Sequence, residues 1–192
     1  MKKTIKNLAI VVLVTFFASS FTVVDGDKKE IKTEKSKVVW KGYKVTGSHE
    51  GLINIKAGSL VFNNDKLIGG EITIDMASIA VTDLQGEYQG KLEGHLKSDD
   101  FFGVEKHPIS KLKFTEVKAT GKNAYEVTGD LTIKNKTNPI TFVISVYGNK
   151  ATANLKIDRS KFDVRYGSTS FFDNLKDKAI YDEFDLVADL EF

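Results

Sequence analysis

Residues 125–133 read YEVTGDLTI, and their order decides the fold. Tyr125, Val127, Gly129, Leu131 and Ile133 fall on one face of an extended chain, while Glu126, Thr128, Asp130 and Thr132 fall on the other. Successive side chains of a strand point to opposite sides, so the stretch is a strand with one dry and one wet face. The same period runs outward in both directions. Ile72, Ile74 and Met76 alternate with Glu71, Thr73 and Asp75. Ile140-Phe142-Ile144-Val146 repeats the pattern, and Phe184-Leu186-Ala188-Leu190-Phe192 alternates with acids at 183, 185, 189 and 191. Polar breaks separate these runs at Asn63–Lys66, Thr120–Ala124, Asn135–Asn138 and Gly148-Asn149. Breaks this short join antiparallel neighbours, because parallel strands need a long crossover.

The count gives eight candidate strands, near 37–45, 50–62, 67–76, 110–118, 124–134, 139–147, 150–157 and 183–192. Eight antiparallel strands in a chain of this size predict an all-β sandwich or closed barrel. One segment has a different period. Leu84, Tyr88, Leu92 and Leu96 recur every fourth residue through Asp83–Lys97, which predicts an amphipathic helix in the longest gap between strands.

The N-terminus reads as an address. Lys2, Lys3 and Lys6 precede an apolar run from Leu8 to Ala18, and Ala18 and Ser20 are small residues placed for a cut after Ser20. That is the anatomy of a secretory signal peptide over 1–20, and the run is short for a membrane span. No Cys follows it, which excludes a lipidated cysteine anchor. Residues 21–36, polar and charged, are expected to be a linker, leaving 37–192 as one domain. Without the leader the chain holds 25 basic and 26 acidic side chains, a net of −1. Such a balance gives no electrostatic case for nucleic acid or an anionic membrane. The absence of Cys from all 192 residues also excludes disulfides, thiolate metal sites and a cysteine nucleophile.

Alternation alone leaves two barrels open, since an outer-membrane barrel is also exported and also alternates, with a polar lumen. The dense charge on the polar faces (Glu126, Asp130, Lys134; Asp185, Asp189, Glu191) favours an apolar interior, because a narrow lumen solvates such charge poorly. The thirteen Phe are equally compatible with a lined tunnel and with a filled core.

Several short motifs stand in order: Gly47-Ser48-His49-Glu50-Gly51, Gly69-Gly70-Glu71-Ile72 with Ser78-Ile79, LEGHLKSDDFF at 92–102, His107-Pro108, Gly129–Ile133, and Ile157-Asp158-Arg159 through Phe162. In this order the chain from Ser36 to Phe192 resembles the YceI-like family of periplasmic, lipocalin-like, polyisoprenoid-binding proteins. Asp163 is a departure, where the family more often carries Gly. The resemblance implies an antiparallel eight-stranded lipocalin-like barrel with one helix. It also implies an elongated apolar cavity for a long-chain isoprenoid or other amphiphilic lipid. A homodimer is compatible with it. The residues themselves show no constellation for catalysis or a cofactor, so neither is expected.

The candidate ligand residues are few, and each has a structural alternative. His49, between two glycines, is either a polar group at the cavity mouth or a turn histidine. His95 either meets a headgroup under the helix or fastens the helix to the sheet. Arg159 offers a fork suited to phosphate or carboxylate, or a local salt bridge. Trp40, the sole Trp, resembles the barrel-closing tryptophan of lipocalin-like proteins. Phe101, Phe102, Phe171 and Phe172 either gate an opening or fold under their loops. The three His, 46 and 12 residues apart, show no metal-ligand spacing, and there is no nucleophile elbow. Two rival expectations remain: an integral outer-membrane barrel, and a stress or interaction protein with a filled core.

Overall fold

The computed structural model describes residues 26–192, so the leader read at 1–20 lies outside the described residues. Nine strands follow in chain order: β1 (Asp27–Glu30), β2 (Lys37–Lys44), β3 (Gly47–Asn63), β4 (Lys66–Val81), β5 (Ile109–Ala119), β6 (Ala124–Ile133), β7 (Lys136–Tyr147), β8 (Lys150–Asp158) and β9 (Ile180–Glu191). All pairings are antiparallel. Neighbours from β2 to β9 pair in sequence, and β9 returns to pair with β2, which closes an eight-stranded barrel.

The eight strands expected from the alternation are all present. Two hairpin turns explain the tight joints. Asn64 and Asp65 adopt φ of 48° and 62°, and Lys134 and Asn135 adopt 49° and 59°. Two consecutive residues at positive φ match the right-handed twist of the strands they join. The third break is therefore centred at 134–135 and not at 135–138, and β7 begins earlier than its apolar pattern indicates.

The polar stretch 21–36 is not a free linker where it is described. β1 pairs with β3, setting Asp27 opposite Phe62 and Glu30 opposite Ser59. Ile31 is buried and its N–H donates to Gly58 O at 2.8 Å. β3 is 17 residues long, and β2 covers only its first part, so β1 pairs with the remainder of the same edge. The charges of β1 suit a strand at the sheet edge.

Apolar side chains point inward and charges outward. On β6, Val127 and Ile133 are buried while Glu126 and Asp130 are exposed. An outer-membrane barrel has the opposite facing, an apolar belt outside and polar groups within, so the membrane-barrel expectation is not met.

The helix α1 (Gly86–Lys97) leaves β4 and crosses one end of the barrel, packing on β4. Leu96 is buried, and Leu84 and Leu92 pack on the core. Tyr88, expected in the same stripe, is exposed, since the helix starts only at Gly86 and its first turn overhangs the barrel. The helix is tied down by Gln89, whose Nε2 donates to Val81 O at 2.9 Å, and by Glu93, whose Oε1 accepts from the Val81 N–H at 2.9 Å.

Candidate functional site

The inward faces do not meet everywhere. At the end away from α1, Phe62 and Phe192 stack with centroids 5.3 Å apart, and Leu60 and Val127 are fully buried. That end of the barrel is a filled floor. Above it lies a cavity of about 170 Å³, lined from Val38 and Leu190 up to Phe101, Arg159 and Tyr181. One water needs roughly 10–15 Å³ measured this way, so the space takes a chain of many atoms. The filled-core expectation is thus corrected. Ile72, Ile74, Leu155 and Leu186 point inward yet are only half-buried, because they face this space and not one another.

The wall is almost entirely apolar. Ser110 is one polar side chain on it, and its Oγ already donates to Thr132 O at 2.8 Å. Arg159 is another. It is 2% exposed, and Nη1, Nη2 and Nε donate to Val164 O, Ile180 O and Tyr181 O at 2.8, 3.0 and 3.2 Å. Its ion pair with Asp182 is 3.4 Å long. Burial lowers its pKa from the usual arginine value against the opposing pull of Asp182 and Asp158. The fork expected to hold a headgroup is instead spent on fastening the 164–181 segment.

Six expected residues gather around the upper cavity or its rim. Trp40 lines it, with Nε1 shared between Leu52 O at 3.3 Å and Ala80 O at 3.2 Å. Phe101 and Phe102 line it edge to face, 5.0 Å apart. Arg159 sits 5.3 Å over the Phe101 ring. His95 packs behind them, against Phe101 and against Tyr166 at 4.3 Å, and its buried Nε2 has no hydrogen-bond partner. His49 stands on the rim, where Nδ1 donates to Asp83 at 2.9 Å. Burial pushes the Asp83 carboxyl up, but the hydrogen bonds from His49 and from the Glu50 amide outweigh it and hold the group below its usual value. His49 does not reach the cavity wall. Phe171 and Phe172 do not either; both are exposed on the 159–179 segment.

Two wall residues escaped the sequence reading. Gly42 continues the inward phase of Val38 and Trp40, and a Cβ built on it meets nothing within 4 Å. It faces open cavity. Counting by two from Trp40 would have found it. Tyr181 lines the cavity and is also 55% exposed, so it spans wall and surface. Gly42 pairs with Phe184 on β9, and the register shifts between Gly42 and Lys44 as Lys44 reaches Ile180. At Tyr181, beside this register shift, the cavity wall reaches the surface, which places the candidate mouth at the α1 end of the β2–β9 seam.

Comparison with known proteins gives the same architecture. A UPF0312 protein of Pseudomonas putida is 32% identical over 91 residues, 47% of this chain and 45% of the relative. A UPF0312 protein of Photorhabdus laumondii is 36% identical over 77 residues, 40% of this chain and 36% of the relative. The matched segments thus span less than half the length of these relatives. Among solved structures, Burkholderia cenocepacia BcnA superposes with a TM-score of 0.68 at 25% identity, covering 83% of this chain and 98% of that one. A polyisoprenoid binding domain from Saccharophagus degradans, implicated in plant cell wall breakdown, superposes with a TM-score of 0.57 at 12% identity, covering 86% and 97%. The YceI-like domain model matches residues 30–192, from the end of β1 to the last residue of the barrel, and the chain belongs to the YceI-like family.

Proposed function

We propose that the protein is exported and binds a long-chain isoprenoid, or an amphiphilic lipid of similar shape, to sequester or carry it. The observation that carries this reading is the apolar cavity with a floor at one end and a mouth at the other. The leader-like N-terminus supports export, and the described function of the Saccharophagus degradans domain supports an isoprenoid.

The geometry sets what fits. β9 contributes wall residues from Tyr181 to Leu190. At about 3.3 Å per residue and a tilt of about 40°, that run is roughly 23 Å deep. A zigzag of carbon–carbon bonds of about 1.5 Å fills it with roughly 15–20 carbons. Each buried methylene contributes about 0.8 kcal/mol, so ten well-buried carbons supply about 8 kcal/mol, near micromolar affinity before the cost of ordering the chain. With the polar groups of Trp40, Ser110 and Arg159 already hydrogen-bonded, the cavity selects by length and shape, and the headgroup stays at the β2–β9 mouth.

The test is native mass spectrometry of protein purified from its producing cells without detergent, followed by organic extraction. A stoichiometric lipid adduct is expected. A bare polypeptide mass that also takes up no added geranylgeraniol would overturn the reading.

A further inference from the structure

The exposed large hydrophobic side chains are unevenly placed. Among the described residues there are nine, and six of them, Val45, Tyr88, Tyr166, Phe171, Phe172 and Tyr181, sit at the α1 end of the barrel. Val143 and Val187 lie on the outer wall on either side of Asn154, and Tyr147 is at the floor end. The concentration is at the end that carries the cavity mouth. Tyr181 belongs to both, so the cavity wall reaches the surface at the end where these side chains are concentrated.

The aromatic pair is held outward by design of its turn. The N–H groups of Phe171 and Phe172 donate to Ser168 O at 3.2 and 3.0 Å, and Ser168 is fully buried. Ser168 Oγ accepts from the Ser170 N–H at 3.1 Å, and Ser170 Oγ donates to Asp182 at 2.6 Å. Arg165 lies 5.0 Å over the Phe171 ring. Two adjacent Phe rings fixed toward solvent are costly in water unless something apolar meets them. The solvent-facing charges of the 159–179 segment are of both signs: Lys161, Arg165, Lys176 and Lys178 against Asp163, Asp173 and Asp177. That balance matches an uncharged, zwitterionic surface, not an anionic one. Phe and Tyr rings flanked by long cationic side chains are also the composition that settles at a bilayer's headgroup boundary.

We propose that this end docks on a lipid bilayer, with Phe171 and Phe172 inserted at the headgroup boundary and the mouth facing the leaflet. An apolar chain then passes between membrane and cavity without crossing water. The proposal rests on the lipid-binding reading above and adds where the lipid is exchanged.

The chain has no cysteine, so single labels are unambiguous. Thr169→Cys, beside the aromatic pair, and Asn149→Cys, in the β7–β8 turn at the floor end, each carry an environment-sensitive dye. Each is mixed with vesicles of phosphatidylcholine alone. Any binding through residues 1–25 is common to both variants, so the difference between the two positions reports orientation. A blue shift is expected at 169 and not at 149, and it persists in about 1 M salt, where exposed charges are screened. Adding Phe171→Ser and Phe172→Ser weakens vesicle binding at least tenfold. No shift at 169, equal shifts at both positions, or a shift abolished by salt would overturn docking; with no shift, the patch is assigned to a protein partner instead. Uptake of geranylgeraniol delivered from ethanol, without vesicles, is measured on the same proteins. Uptake without docking overturns the docking alone, and docking without uptake overturns the lipid-binding reading alone.

Discussion

Arg159 and Gly42 share a cavity wall and act in opposite ways. Arg159 is a buried cation whose donors are taken up by Val164, Ile180 and Tyr181 carbonyls and whose charge faces Asp182. Replacing it with Met removes the three hydrogen bonds to those carbonyls and the cation facing Asp182, whose carboxylate then keeps only the Ser170 hydroxyl. Breaking a buried pair in this way costs about 3–5 kcal/mol, or roughly 10 °C of melting temperature for a domain of this size. Arg159→Lys restores the charge but not the three-way fork, so it recovers only part of the loss. Thermal melting of the two variants checks this; an unchanged melting temperature in Arg159→Met would show that the fork is free for a ligand after all. Asp163 is explained at this scale too. It caps the short turn at Arg159–Phe162 with φ of 61°. That left-handed conformation suits Gly best and Asp or Asn next, so Asp is accommodated at this turn.

The β2–β9 seam beside the mouth is closed by Tyr43 on β2, whose hydroxyl donates to Asp185 on β9 at 2.6 Å, and by Lys156 on β8, 3.1 Å from the same carboxylate. The Tyr43 hydrogen bond, with help from Lys156, lowers the Asp185 pKa below the usual aspartate value despite partial burial. A carboxyl held low in the folded state adds stability above its unfolded pKa of about 3.9 and loses it as pH falls through the folded value. Urea midpoints between about pH 5 and pH 2 should therefore fall less steeply for Asp185→Asn than for the parent. Parallel curves would remove Asp185 from the account of the seam. The helix α1 contributes Leu96 to the cavity wall. It carries Gly90 and Gly94 in its interior, where added Cβ atoms meet nothing within 4 Å. Gly90→Ala and Gly94→Ala should each strengthen it by up to about 1 kcal/mol, slow its amide exchange and slow lipid release. Faster exchange would mean that the helix does not move with the ligand.

Elements of this kind differ in how far they could be read from the sequence. β2 through β9 were legible from the alternation of dry and wet faces and the short polar breaks between strands. β1 was not, since Asp27-Lys28-Lys29-Glu30 is charged at every position and shows no dry face, its lysines instead reaching Glu71 and the Phe62 ring. Phe171 and Phe172 belong to the correct end of the barrel, but whether a loop residue turns inward depends on turn geometry that period-two patterning does not carry; His49, on β3, is drawn to Asp83, a partner the pattern does not reveal.

At the scale of the whole molecule, the barrel is divided along its axis. A floor of Phe62, Phe192 and fully buried aliphatics supplies packing, and the upper part is left open under a glycine-bearing helix. Alternation reveals which side chains point inward but not whether they touch, so the cavity could only be seen in three dimensions. The central claim is that this space takes an apolar chain through the β2–β9 mouth. The sole tryptophan, Trp40, lines it and reports directly. The most direct measurement is a Trp40 fluorescence titration with geranylgeraniol on the parent and on Gly42→Phe. The substitution places a ring in open cavity at a strand position with ordinary φ, so melting temperature should hold or rise. A saturable one-site response in the parent, at least tenfold weaker in Gly42→Phe, is the expected result. No saturable response in the parent, or equal affinity in the two proteins, would contradict the account.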